Sequence, residues 1–267
     1  MRQKRPANIP ARIVETDTVK IARMASKFSL DMGFPVHLIG RPGTGKSSAL
    51  WHIAQDMGGG YCEVSAQSRS TKGMFQMLLG TLGIADDHKY ISDLSDDVYR
   101  CFVPINRYCS EAGCFVDVPH FLVVDEVQTL EATALRELLR VQEKCSLGLV
   151  IAGNAERLAT TRRDAATWAQ IESRIGMQRH LPGPSICDCE LIGAAFNVEG
   201  KDAYAALSAY GTRTNFRDLV QLLETARRMS GPETGHAVGI RLIHLQNALS
   251  TLTARTGAMK LLNPEDA

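Results

Sequence analysis

The run Gly40-Arg41-Pro42-Gly43-Thr44-Gly45-Lys46-Ser47 fills the pattern G-x-x-x-x-G-K-[ST]. Glycines at this spacing let the backbone turn its N–H groups inward around phosphate oxygens, and a helix that starts there adds positive potential at the same spot. In that chemistry Lys46 meets the β- and γ-phosphates, the Ser47 hydroxyl ligates Mg²⁺, and Ser48 opens the helix. A second constellation lies about 80 residues on, where the apolar run Phe121-Leu122-Val123-Val124 ends in Asp125-Glu126. Acids at the C-terminal end of a buried parallel strand sit where open α/β sheets bind ligands. Asp125 is read as a holder of Mg²⁺, directly or through water, and Glu126 as the group that polarises an attacking water. Asn154 follows a third apolar run, Leu149-Val150-Ile151-Ala152. There its amide either touches a γ-phosphate or the water, or is an ordinary turn residue.

These groups need a scaffold, and the flanking patterns supply one. Val36-His37-Leu38-Ile39 reads as a strand and residues 48–54 as a helix, the context a phosphate loop requires. An earlier helix carries Val19, Ala22, Met24, Ala25 and Phe28, with Thr16 or Asp17 as its cap and Gly33 at its end. Residues 61–64 form a second strand, and a helix from Thr71 packs Met74, Phe75, Leu78, Leu79 and Leu82 into the core. Residues 92–112 keep a helical period, so a helix kinked or divided by Pro104 is expected. Helices over 131–144 and 165–175 and a last strand near 178–181 complete this part. Pro182-Gly183-Pro184 then breaks the chain. Everything beyond reads as helix, over 188–196, 202–210, 216–229 and 239–252, with Asn215 as a plausible N-cap.

The implied class is α/β: a three-layer α/β/α P-loop domain with a central parallel sheet, followed by a small C-terminal helical lid. The expected division is a basic arm (1–12), a nucleotide-binding domain (13–182), and a lid with a short tail (183–267). A chain of 267 residues has room for both domains. The net charge of +1 argues against whole-protein attraction to nucleic acid and leaves only local patches. One such patch is the arm, where Arg2, Lys4, Arg5 and Arg12 precede the first acid, Glu15. It is either a solvated tail or an arm that lies on nucleic acid or a neighbouring subunit. Seven cysteines without a C-x-x-C pair suit a reducing cytosol, and Cys187-Asp188-Cys189 near His180 matches no zinc spacing. No run of 18 apolar residues spans a membrane, and no apolar segment follows the basic start as a secretory signal requires. A cytoplasmic protein is expected.

The order of parts resembles the AAA+ ATPases over roughly residues 12–253. That resemblance implies that Asn154 is the sensor-1 polar residue. Arg174, in Ser173-Arg174-Ile175, would be the arginine finger that reaches a neighbour's γ-phosphate, with Arg179 as the alternative. Arg217, in Thr214-Asn215-Phe216-Arg217-Asp218-Leu219, would be the lid's sensor-2 arginine. Within AAA+ proteins, four stretches resemble the target-selecting ATPases of DNA transposition, the group of the Mu B protein with its TnsC and TniB relatives. They are Val14-Glu15-Thr16, where this group holds adenine, Asp125-Glu126-Val127-Gln128, Ile151-Ala152-Gly153-Asn154-Ala155-Glu156, and Ser173-Arg174-Ile175-Gly176.

The resemblance implies ATP and Mg²⁺ as cofactors, an ATP-dependent helical filament of the chain on double-stranded DNA, and a transposase as partner. A bacterial setting is expected, the gene being either the cell's own or one carried by a phage or transposon. A finger supplied in trans is worth about 10³ to 10⁵ in rate, so hydrolysis should be slow and depend on assembly. About eleven residues before the first helix cannot make the extra N-terminal domain of the Mu B protein, so DNA contact is expected from the AAA+ body. Candidate phosphate contacts are Arg69 and Lys72 at a helix start and Arg100 and Arg107 in the kinked segment, with plain solvation as the alternative. Two other readings share the motifs. A helicase loader or replication initiator has the same arginine logic, although an initiator would add a winged-helix domain after the lid. A nucleotide-binding scaffold or signalling protein would tolerate loss of Glu126.

Overall fold

The computed structural model describes residues 3–84, 90–109, 114–118, 120–154, 169–231, 239–252 and 258–263, with backbone only for 105–109, 114–118 and 258–259. The elements in chain order are α1 (Asp17–Met32), β1 (Val36–Ile39), α2 (Lys46–Asp56), β2 (Gly60–Glu63), α3 (Thr71–Thr81), α4 (Ile91–Cys101), β3 (Ile105–Cys109) and β4 (Cys114–Val118). They continue with β5 (Phe121–Asp125), α5 (Ala132–Cys145), β6 (Gly148–Gly153), β7 (Met177–His180), α6 (Ile186–Ala195), α7 (Lys201–Arg213), α8 (Phe216–Met229) and α9 (Leu242–Leu252). Two compact units result. The first holds residues 1–11, 21–40 and 47–180, and the second holds 12–20, 41–46 and 181–267.

The first unit is built on a parallel sheet in the order β2-β5-β6-β1-β7. Every residue of β5 and β6 is buried, as continuous apolar strands covered on both faces must be. The helices α3, α4 and α5 share one core with β2, β5 and β6, through Phe75, Leu78, Leu94, Val98, Leu138, Leu122 and Ile151. On α1 and α2, Ala22, Ala25, Leu50 and Ile53 are fully buried, and the sheet is the middle of three layers. Two polar side chains pin the layers together. Ser29 Oγ donates to the Phe34 carbonyl at 2.8 Å and accepts from Leu149 N–H at 2.8 Å. Gln142 Nε2 donates to the carbonyls of Gly33 (2.8 Å) and Leu147 (2.9 Å).

The expected helix over 92–112 is corrected by the structure. Helix α4 stops at Cys101, and β3 pairs antiparallel with β4, Ile105 opposite Val118 and Cys109 opposite Cys114. Pro104 lacks an N–H and biases Val103 away from the helical region, so it ends the helix instead of kinking it. The β-branched and aromatic residues on either side then pair across the short 110–113 connection.

The N-terminal segment lies on the sheet. Gln3 Nε2 donates to the Tyr61 carbonyl at 3.1 Å, and its Oε1 accepts from Tyr61 N–H at 2.9 Å, on the outer edge of β2. Ile9 is buried, and the His52 ring hydrogen-bonds the Pro10 carbonyl at 2.9 Å. Lys4, Arg5 and Arg12 remain exposed.

The second unit packs α6 to α9 around Cys189, Leu207, Tyr210, Leu219, Leu223 and Leu249, with Val14 against the same cluster. One buried carboxylate caps two helices here. Asp188 Oδ1 accepts from Asp17 N–H at 2.8 Å, at the start of α1, and Oδ2 accepts from Ser185 N–H at 3.1 Å, before α6. Ser185 Oγ returns the bond to Asp188 N–H, which completes a capping box.

Candidate nucleotide site

In the first unit, strand β1 delivers the chain to Gly40, whose N–H donates to the Gly153 carbonyl at 3.2 Å and ties the loop's start to the end of β6. Beside it Asp125 is fully buried. Its Oδ2 accepts from the Tyr61 hydroxyl at 3.0 Å and its Oδ1 from Glu126 N–H at 2.8 Å. The Ser47 hydroxyl hydrogen-bonds the same phenol. Burial, reinforced by the Asp125 charge, pushes the Tyr61 phenol far above its ordinary range, so it stays a donor. Ser47 and Asp125 are thus joined through one hydroxyl into a set of oxygen donors only, the kind Mg²⁺ takes. Among the described residues no group of three or more His, Cys, Asp or Glu could hold a metal. A magnesium ion held here would take the rest of its shell from water and phosphate oxygens.

Glu126 has φ 56° and ψ 36°, the left-handed region, and precedes a 3₁₀ turn over Val127–Thr129. A non-glycine residue held there costs about 1–3 kcal/mol, and such strain concentrates at functional sites. Its carboxylate accepts from Gln128 Nε2, while Gln128 Oε1 accepts from Asn154 N–H at 3.2 Å. Asn154 Oδ1 is buried and has no hydrogen-bond partner among the described residues. Glu63, the exposed last residue of β2, has its carboxyl raised by partial desolvation and then by Asp125 and Glu126.

In the second unit, the loop residues 41–46 pack with the start of α8. Gly43 and Gly45 have φ +82° and +79°, and a Cβ at Gly43 would overlap the Asn215 side chain. Both facts demand glycine. Asn215 caps α8 by accepting from Asp218 N–H at 3.0 Å, and Arg217 N–H donates to the Gly43 carbonyl at 3.3 Å. The Arg217 side chain is exposed. Lys46 is buried, and its Nζ donates to the Arg41 carbonyl at 2.9 Å. Thr44 Oγ1 donates to the same carbonyl at 2.8 Å. Arg41 and Pro42 are exposed and Ser48 is half-buried at the start of α2.

The remaining candidate residues are not gathered into these clusters. Arg174 pairs with Glu143 at 3.7 Å, and Arg179 is exposed on β7. Arg69 pairs with Glu131 at 3.3 Å and Arg100 with Asp97 at 3.3 Å, all at the surface. Lys72 lies in the first turn of α3, and Arg107 on β3 has its side chain outside the described residues. Ala155 and Glu156 also fall outside them. Tyr61 and Gln128 carry no role in the sequence reading. A signal for Tyr61 existed, since a tyrosine in a buried strand must find a partner for its hydroxyl.

The fold is of the P-loop AAA+ kind, a three-layer α/β/α unit with helices C-terminal to it. An AAA domain model, AAA_22, matches residues 35–160. The chain is related to the ATP-dependent target DNA activator B of Escherichia phage Mu, 24% identical over 241 residues, covering 87% of this chain and 70% of that protein. Among solved structures it resembles the ORC2 protein of Aeropyrum pernix. The ADPNP-ADP complexes give a TM-score of 0.60 at 18% identity, over 93% of this chain and 71% of that one. The ADP form gives 0.61 at 17%, over 94% and 73%. At such identities the likeness is one of fold. No helix among the described residues is long and apolar enough to cross a membrane.

Proposed function

We propose that this chain is an ATP-dependent regulator of DNA transposition that assembles with its own copies on duplex DNA, hydrolyses ATP slowly and recruits or activates a transposase. The observation that carries this reading is the buried group in which Tyr61 links Ser47 to Asp125, with Glu126 next in the chain. In this reading the backbone of residues 40–47 cradles the phosphates, Lys46 opposes their charge, and Val14 borders the adenine. Ser47 and Asp125 hold Mg²⁺, which offsets charge on the phosphate oxygens. Glu126 takes the proton of the attacking water, while Asn154 and Arg217 read the γ-phosphate. Arg174, or Arg179, reaches the nucleotide of the neighbouring copy, which couples hydrolysis to assembly. The Arg69–Glu131 and Arg100–Asp97 pairs are solvent-exposed and worth about 0–1 kcal/mol each, so DNA phosphates can compete for those arginines. Lys72 and Arg107 are the other two candidates for that contact. The DNA assignment is supported by the similarity to the phage Mu target DNA activator, and the transposase follows from the motif resemblance alone.

Electron micrographs of the chain with ATP, Mg²⁺ and duplex DNA test this reading. Filaments are expected with ATP and not with Lys46→Ala, and monomers alone in the parent would overturn it. Glu126→Gln should bind ATP, lose about 10²- to 10⁴-fold in hydrolysis and persist on DNA. A scaffold that holds nucleotide statically would show no such change.

A further inference from the structure

Gln128 is placed to act on Glu126 from the end of β6. Its carboxamide uses both ends, donating through Nε2 to the Glu126 carboxylate and accepting through Oε1 from Asn154 N–H at 3.2 Å. Two independent features keep it there. A Cβ on Gly153 would overlap Gln128 Oε1 and lie 3.1 Å from Val127 Cγ1, so only glycine at 153 leaves room for the bracket. Glu126 itself is held at a left-handed φ, which turns residues 126–128 into the tight 3₁₀ turn that brings Gln128 back over it. A free carboxylate on a surface turn would sample several rotamers. Bound at one oxygen by an amide fixed at its other end to a sheet strand, this one cannot.

We propose that Gln128 is a positioning residue that aims Glu126 and locks it to Asn154, so that the water-activating acid and the γ-phosphate-sensing amide keep one geometry. The inference rests on the ATPase reading above. Gln128 touches no reacting atom in it. One oxygen of Glu126 is engaged by Gln128, and the other stays available for the water's proton. Because Oε1 of Gln128 binds the backbone of Asn154, any shift of Asn154 when a γ-phosphate meets its unpartnered Oδ1 passes to Glu126 through one side chain.

Steady-state ATPase kinetics of the full chain on duplex DNA test this with Gln128→Leu, Gly153→Ala and the double variant Gln128→Leu/Glu126→Gln. Gln128→Leu should lower kcat about 10- to 100-fold, the scale of a misaimed catalytic group, with KM and the melting temperature close to the parent's. Gly153→Ala should reproduce that change from the opposite side. In the Glu126→Gln background, Gln128→Leu should cost nothing more, since it acts through Glu126. Parental kcat in Gln128→Leu overturns the inference alone, as does a loss confined to KM or one of equal size in the Glu126→Gln background. A parent no faster than Glu126→Gln overturns both the inference and the ATPase reading.

Discussion

The Tyr61 hydroxyl donates to Asp125 Oδ2 at 3.0 Å from a neighbouring strand, with Cys62 opposite Val124 in the pairing between them. The bond crosses from edge strand to inner strand at the end of the sheet where the phosphate loop emerges. It orients a carboxylate that is fully buried. Tyr61→Phe keeps the ring's packing and removes only the hydroxyl, with its bonds to Asp125 and Ser47. The Mg²⁺ concentration that half-saturates nucleotide binding should rise about tenfold, the scale of losing an outer-shell partner. Titrating Mg²⁺ at fixed nucleotide, with nucleotide binding in EDTA as the reference, checks this.

His37 is buried in β1, and neither ring nitrogen has a hydrogen-bond partner among the described residues. It lines a small void with Val127, Ile151, Ile171 and Ile175. Burial, then the nearby His180, lowers its pKa to about 4. The unfolded ring binds a proton near pH 6.5, and the folded one only near 4. Stability is therefore intact above pH 6.5 and falls as pH drops from 6.5 towards 4, by about 3 kcal/mol from this group. Urea unfolding across that window should show His37→Leu with a shallower acid limb than the parent.

Asp188 satisfies two backbone N–H groups at once, at the starts of α1 and α6. Asp188→Ala leaves both without an acceptor in a partly buried place. A loss of about 2–3 kcal/mol in unfolding free energy is expected. Asp188→Asn keeps an acceptor oxygen and should lose less. Denaturant titrations of the three proteins give the ranking.

Part of this fold is legible in the sequence. The apolar runs that become β5 and β6 can be read directly, because a strand covered on both faces has no polar alternation to confuse with a helix. The glycine-rich loop is equally plain, and the structure adds the reason Gly43 cannot change, its left-handed φ beside Asn215. Asn215 is far away in sequence and so invisible as the neighbour. The β3–β4 hairpin was hidden by a helical period that continues through Pro104, and only pairing between strands decides against it. Tyr61 with Asp125, and Gln128 with Asn154, are separated by 64 and 26 residues. No local pattern announces hydrogen bonds of that reach. The clustering of residues 41–46 with the C-terminal helices, instead of with the sheet that precedes them, likewise depends on packing alone.

Gln3 meets both backbone groups of Tyr61 on the outer margin of β2. An open strand there would offer a row of amides and carbonyls as a template for any passing extended peptide. With a side-chain amide already seated at its middle, the strand is closed to such growth from that side. Addition of a further strand to this sheet is thereby left to the opposite margin, where the mostly exposed β7 runs beside β1.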